Sequence, residues 1–236
     1  MPQVIGHRGA AGTHPENTMV SFRKAFELGV DGIEFDVHRT ADGHLVVMHD
    51  PTVDRTTNGS GLILMMTLEQ IRALDAGSWM SPAFAGERVP TLQELLRAAP
   101  PDVRLYLELK AGSVHYPGIE QQLVDTLKAE GVLERTQVSS FDHRALVKLK
   151  EICPELPLGM LTTCNLVDPV GMALAIGCEA IHPMWPWVTP EYVEAAHAAG
   201  LKVNCWAVNE PLAIALMRNA GVDGIITDFP ERIING

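Results

Sequence analysis

Glu34 and Asp36 stand two residues apart inside the apolar run Ile33-Glu34-Phe35-Asp36-Val37. Side chains alternate along a strand, so this spacing turns both carboxylates to one face. Leu105-Tyr106-Leu107-Glu108-Leu109-Lys110 repeats the pattern with Glu108 and Lys110. Val4-Ile5-Gly6-His7-Arg8-Gly9 closes an apolar stretch with an imidazole and a guanidinium, and Val46-Val47-Met48-His49-Asp50 closes one with an imidazole and a carboxylate. A lone carboxylate in a strand is explained as well by a structural salt bridge. Three converging on one site repel one another and are costly to desolvate. Arg8 and Lys110 offset part of that charge, and a divalent cation offsets it better. An all-carboxylate set with water suits a hard ion, Mg²⁺ or Ca²⁺ with Mn²⁺ as the third choice, rather than zinc.

Convergence requires elements that bring these residues together. Short β-type runs alternate with amphipathic helix-type runs nearly end to end. Strands are predicted over 3–7, 32–40, 45–49, 104–109, 137–140, 158–161, 180–182, 202–207 and 224–227. Helices are predicted over 17–28, 118–130, 142–152, 167–176, 190–199 and 210–220, four of them followed closely by Gly131, Gly177, Gly200 and Gly221. The link between 32–40 and 45–49 is too short for a crossover helix, so these two form a hairpin turning at Asp42-Gly43. Counting that hairpin once leaves eight parallel strands, the number of an α/β (β/α)8 TIM barrel. Such barrels carry their active sites at the C-terminal strand ends, where His7, Arg8, Glu34, Asp36, Glu108 and Lys110 fall. The hairpin returns His49 opposite Glu34 or Phe35, beside the same carboxylates.

The segment at about 51–89 breaks the rhythm with turn residues such as Asn58-Gly59-Ser60-Gly61 and no clean strand. Short helices are expected at 67–74 and 91–98. We read it as an insertion above the hairpin that buries no core of its own, within a single catalytic domain spanning 1–236. Long irregular loops of this kind are often functional.

The 236 residues are 47% hydrophobic and 20% charged, a globular composition that excludes a disordered chain. A formal net charge of -11 disfavours nucleic acid and anionic membranes as partners. Cys153, Cys164, Cys178 and Cys205 are scattered without CxxC spacing, which suggests neither a disulfide framework nor a zinc knuckle. No apolar run reaches the length of a transmembrane helix, and Met1 to Gly9 lacks the basic and apolar regions of an export signal. The expectation is a reduced, cytoplasmic monomer or homodimer with no stable membrane association.

His7-Arg8-Gly9, His14-Pro15-Glu16-Asn17-Thr18, the Glu34/Asp36 run and His49-Asp50, taken in that order, resemble the glycerophosphodiester phosphodiesterases. Glu108-Leu109-Lys110, Ser139-Ser140-Phe141, Trp206-Ala207-Val208-Asn209 and Gly224-Ile225-Ile226-Thr227-Asp228-Phe229-Pro230 extend the resemblance over nearly the whole chain. It implies a barrel with a small insertion after the His-Asp pair, and hydrolysis of glycerophosphodiesters such as glycerophosphocholine to glycerol 3-phosphate and an alcohol. It further implies that Glu34, Asp36 and Glu108 hold one divalent metal, that His7 and His49 form a general acid–base pair, and that Arg8 and Lys110 contact phosphate. The short insertion resembles compact cytosolic members. Two departures are Tyr106, where many members have Asn, and Ala207, where Thr is common. Tyr106 shares the parity of Glu108, so it is expected to narrow the mouth or touch the substrate.

Imidazole suits both proton transfers, with His7 as base and His49 as acid the preferred order. The nucleophile is either water or the glycerol 2-hydroxyl. Glu16 is expected to join the substrate and phosphate site, to position His7 or to cap the helix, Asn17 to cap it or join the phosphate site, and Trp206 to pack against glycerol. Asp50 orients a neighbouring side chain, Asp228 fixes the floor of the mouth, and Met184, Trp185 and Trp187 are candidates for the leaving-group side. His182 reads as a structural histidine, His38 has no assigned work, and Glu120 as an ordinary solvated charge. The competing functions are a lysophospholipase D using the same machinery, a phosphodiester-binding protein with a dead site, and an enolase-type barrel. The last lacks phosphate donors placed like Arg8 and Lys110, and a dead site would have lost a histidine or carboxylate.

Overall fold

Strand β1 (Gln3–His7) pairs in parallel with both β2 (Gly32–Arg39) and β9 (Gly224–Thr227), and this double pairing closes the sheet into a barrel. The structure is a computed structural model that describes residues 1–234. Around the barrel the order continues from β2 to β4 (Arg104–Leu109), β5 (Thr136–Ser140), β6 (Leu158–Thr162), β7 (Ala180–Pro183) and β8 (Lys202–Cys205), all parallel. Strand β3 (Leu45–Val47) is antiparallel to β2 and stands outside the count of eight. The (β/α)8 barrel and its hairpin are thus as expected.

Helices follow the strands: α1 (Met19–Leu28), α2 (Leu68–Arg72), α3 (Leu92–Ala98), α4 (Gly112–His115), α5 (Ile119–Ala129), α6 (His143–Ile152), α7 (Pro169–Ile176), α8 (Pro190–Ala198), α9 (Pro211–Ala220) and α10 (Glu231–Ile234). Their ends carry local signals. The Thr18 side chain accepts from Ser21 N at the start of α1, Thr91 and Glu94 form a capping box on α3, and Asp142 caps α6. Gly29, Gly177 and Gly221 close α1, α7 and α9 in the left-handed conformation.

Strand parity divides the core. Ile33, Phe35, Val37, Leu105, Leu107 and Leu109 face outward into one large cluster with helix residues such as Phe22, Leu95 and Leu123. The alternate residues fill the barrel. Ile5, Tyr106 and Ile226 make an apolar layer inside it, with Trp206 packed on them. The carboxylates therefore rest on a packed floor, held between strands whose other faces are anchored by helices.

One expectation fails here, that for Glu120. The 51–89 segment gathers an apolar cluster only with the hairpin arm, its Val53, Ile63, Ile71, Ala76 and Val89 packing on Val46 and Met48. The hairpin supplies the surface that the segment lacks by itself. Glu120 is 1% exposed rather than solvated, with Lys148 Nζ 3.3 Å from its Oε2.

Candidate active site

Register assembles the mouth. His7 of β1 lies beside Glu34 of β2, and Asp36 of β2 lies beside Glu108 of β4. Oxygens of Glu34, Asp36 and Glu108 lie within 4.8 Å of one another, and all three residues are buried. Lys110 Nζ stands 2.6 Å from Glu108 Oε1 and 2.9 Å from Asp36 Oδ1, and Arg8 Nε stands 3.5 Å from Asp36 Oδ2.

The two cations do not satisfy the three acids. Burial and the nearby Asp36 and Glu108 charges push Glu34 well above the usual carboxylate range. Burial and Asp36 push Glu108 up to about 7. Burial would raise Asp36 too, but Lys110 and Arg8 beside it hold it below its usual value. The Lys110 approach to Asp36 Oδ1 is a close charge contact rather than an aligned hydrogen bond. That oxygen and Arg8 Nε remain buried polar atoms without a hydrogen-bond partner. Oxygen-only donors and a surplus of negative charge fit a hard divalent cation.

Each candidate histidine is backed by a carboxylate. His7 Nδ1 lies 2.6 Å from Asp228 Oδ1, beyond the end of β9, and His49 Nδ1 lies 2.7 Å from Asp50 Oδ1. A carboxylate accepts, so Nδ1 carries the proton in each neutral ring and Nε2 presents its lone pair. His7 Nε2 is 3.9 Å from Glu34 Oε2, and both rings line one cleft with Arg8, Glu34 and Glu108. Burial lowers the His49 pKa against the pull of Asp36. The β2–β3 register pairs Val37 with Val47, which extrapolates to His49 opposite Phe35. His38 supports that arm from behind. Its Nε2 donates to the His49 carbonyl at 3.1 Å, while the Tyr116 hydroxyl donates to its Nδ1 at 2.8 Å.

The His-Arg-Gly turn explains its own composition. Arg8 and Gly9 both take positive φ, 51° and 91°, and a Cβ on Gly9 would lie 2.4 Å from Ser21 Oγ. This turn aims the Arg8 amide at Glu34 Oε2, 3.2 Å away, and its guanidinium Nη1 at Glu16 Oε1, 2.8 Å away. Glu16 thus holds Arg8 rather than His7. A carboxylate paired to guanidinium groups repels phosphate, so its place is beside Arg8 rather than against substrate. Asn17 does not cap α1, since Thr18 does. Its backbone sits at φ 57°, a conformation asparagine tolerates, and its Nδ2 donates to Asp36 Oδ2 at 2.8 Å. Asn17 therefore orients a carboxylate of the cluster.

The opposite wall of the cleft is Ser139, Phe141, Leu161, His182, Trp206 and Ile226. Trp206 Nε1 donates to the His182 carbonyl at 2.8 Å, and its ring meets Phe141 edge to face at 5.6 Å between centroids. His182 is hydrogen-bonded, as expected, its Nε2 donating to Gln137 Oε1 at 2.8 Å. Met184, Trp185 and Trp187 lie outside this wall, and the Trp187 indole donates instead to the Thr163 carbonyl at 3.0 Å. Tyr106 faces inward as its parity requires, but its hydroxyl donates to Gln3 Oε1 at 2.7 Å, toward the N-terminal end of the barrel. Its ring fills the interior below the mouth, so the expected substrate contact is corrected to a packing role. Lys110 is likewise absent from the cleft wall and meets the carboxylates.

The sequence profile of the Glycerophosphoryl diester phosphodiesterase family matches residues 7–232. The chain belongs to this family. It is 47% identical over 233 residues to a glycerophosphodiester phosphodiesterase of Caldanaerobacter subterraneus subsp. tengcongensis, covering 98% of this chain and 96% of the relative. A glycerophosphodiester phosphodiesterase of Bacillus subtilis is 32% identical over 245 residues, covering 96% of this chain and 83% of its own. Among solved structures, an Oleispira antarctica phosphodiesterase in complex with the product sn-glycerol-3-phosphate superposes with a TM-score of 0.93 at 32% identity, covering 100% of this chain and 96% of that one. The glycerophosphodiester phosphodiesterase of Agrobacterium tumefaciens gives 0.89 at 29% identity and covers all of both chains.

The activity that goes with this membership is hydrolysis of glycerophosphodiesters. Within this family member, the supporting residues are where sequence reasoning fell short. Asp228, expected on the floor, orients His7, and it also accepts from Asn209 Nδ2. His38 holds the His49 backbone. Arg55, from the 51–89 segment, donates to both Glu16 oxygens at 2.8 Å and to Asp50 Oδ2 and Oδ1 at 2.8 and 3.0 Å. The signal for Arg55 was a single arginine five residues past His49-Asp50, in a stretch without periodicity. No helix among the described residues is long and apolar enough to cross a membrane, and the four cysteines are free.

Proposed function

We propose that the chain forms one catalytic domain whose cleft hydrolyses a glycerophosphodiester to glycerol 3-phosphate and a free alcohol, with His7 and His49 as the acid–base pair. The observation that carries this reading is the pair of His–carboxylate dyads, His7–Asp228 and His49–Asp50, opening on the cleft lined by Glu34 and Glu108 of the buried acid cluster.

Glu34, Asp36 and Glu108 would hold one hard divalent ion, Mg²⁺ or Ca²⁺ in preference to Mn²⁺. Bound there, it supplies charge neutralisation and polarisation of a phosphate oxygen. The residues do the rest. Asn17 fixes the Asp36 carboxylate. Arg8 offers a planar guanidinium, with its buried Nε still unmatched, to a non-bridging oxygen. Lys110 adds a compact positive charge beside the same acids. One imidazole Nε2 takes the proton of the attacking oxygen, whether of water or of the glycerol 2-hydroxyl. The other imidazole, protonated, gives its proton to the departing alkoxide. Trp206 and Phe141 offer an apolar shelf to the carbon skeleton of the substrate.

Hydrolysis of a panel of glycerophosphocholine, glycerophosphoethanolamine, glycerophosphoglycerol and a lysophospholipid tests the assignment. Turnover of the water-soluble diesters is expected. Turnover of the lysophospholipid alone would replace this reading by the lysophospholipase D one.

A separate expectation concerns Lys110. Lys110→Met should weaken binding of glycerophosphodiester and of inorganic phosphate by about tenfold or more, the scale of a hydrogen bond to a charged group. Calorimetric titration of the folded variant checks it. An unchanged Kd for both ligands would confine Lys110 to the carboxylate cluster.

A further inference from the structure

The 51–89 segment sends one guanidinium to the site, and the catalytic scheme leaves that group unused. Arg55 makes two forked pairs. Its Nη1 and Nη2 meet Glu16 Oε2 and Oε1, each at 2.8 Å, and its Nε and Nη2 meet Asp50 Oδ2 and Oδ1 at 2.8 and 3.0 Å. Asp50 Oδ1 is also the atom that receives His49 Nδ1 at 2.7 Å. Glu16 Oε1 is also the atom that receives Arg8 Nη1 at 2.8 Å. Two carboxylates are thus brought together across one planar cation, and each holds a residue of the cleft with the same oxygen that Arg55 grips.

We propose that Arg55 is a positioning residue for His49, acting through Asp50 and braced against Glu16. Asp50 follows His49 directly in the chain, and its side chain is a quarter exposed. Without a second anchor, its carboxylate is free to rotate toward water and release Nδ1, so the imidazole loses both its orientation and its tautomer. Arg55 removes that freedom by engaging both Asp50 oxygens in one plane, a geometry lysine does not reproduce. The brace is needed because the Arg55 side chain is 44% exposed and an exposed ion pair is weak by itself. Glu16, 12% exposed and fixed by Arg8, supplies the rigid end. The 51–89 segment thereby gains a task, to carry the outer support of a proton-transfer group.

This inference rests on the acid–base reading of His49, and a double-mutant cycle separates the two. The ion-loaded enzyme, its Arg55→Met and His49→Ala variants and the double variant are compared by steady-state hydrolysis of glycerophosphocholine. Arg55→Gln is a second probe of the same contact, and thermal unfolding confirms that each variant is folded. Arg55→Met should lower kcat by about 10–100-fold, the scale for residues that orient a functional imidazole. In the His49→Ala background the same substitution should change kcat by less than about twofold, because its effect passes through the missing ring. Equal losses in both backgrounds, or wild-type kcat in folded Arg55→Met and Arg55→Gln, would overturn this inference alone. Near-wild-type turnover by His49→Ala would overturn the acid–base reading and this inference with it.

Discussion

Chelation of the divalent ion should abolish turnover, and one equivalent of Mg²⁺ or Ca²⁺ should restore it. The expectation follows from the charge imbalance in the mouth. Three carboxylates lie within 4.8 Å of one another, and Lys110 and Arg8 hold only Asp36 below its usual range. Glu34 and Glu108 are left with raised pKa values, Glu108 at about 7. In ion-free protein Glu108 takes up a proton as pH falls through about 7, and an incoming cation must displace it. Binding should therefore release protons, and affinity should weaken as pH falls below about 7 because protons then compete for the same oxygens. The loaded native state should gain about 2.7 kcal/mol at an ion concentration one hundred times Kd. Glu108→Gln removes one charge and one strong ligand oxygen, so recovery at low ion concentration should be lost. The check is elemental analysis of the stripped protein followed by titration with Mg²⁺, Ca²⁺, Mn²⁺ and Zn²⁺. Full activity in verified ion-free protein would overturn the metal assignment, and recovery with zinc alone would mean the ligand set had been misjudged.

The second large effect belongs to the histidines. His7→Ala and His49→Ala should each lower kcat by about 10²–10⁴, the range for loss of a positioned acid or base. Neither residue belongs to the oxygen cluster, so ion affinity should change little. Removing a ring leaves Asp228 with Asn209, or Asp50 with Arg55, so neither carboxylate is stranded. The fold should therefore survive. Steady-state kinetics paired with ion titration by calorimetry reads both quantities. Near-wild-type kcat in either variant would remove that histidine from proton transfer.

What the sequence made legible was local. Two carboxylates at i and i+2 face one way whatever the fold, and a link of a few residues excludes a crossover. Barrel, hairpin and acid cluster follow from that kind of reasoning. What it hid depends on contacts between distant segments. His7 and Asp228 are 221 positions apart, and only closure of β9 on β1 brings them to 2.6 Å. Arg55 lies in a stretch without periodicity, so nothing in its surroundings said where its side chain would point. Tyr106 shows the limit of parity, which assigns a side chain to the barrel interior but says nothing about the end toward which it leans. The partners of Glu16 and Asn17, Arg8 with Arg55 and Asp36, depend on the sharp turn at Arg8 and Gly9, which spacing alone does not reveal.

The bond that breaks is the most direct test of the central claim. Ion-loaded protein incubated with glycerophosphocholine, followed by ³¹P NMR with an assay for free choline, resolves it. The expected result is loss of the diester signal with growth of a glycerol 3-phosphate signal and one equivalent of choline. Phosphocholine with free glycerol, or a diester signal unchanged beyond the rate of a His7→Ala/His49→Ala control, would contradict it.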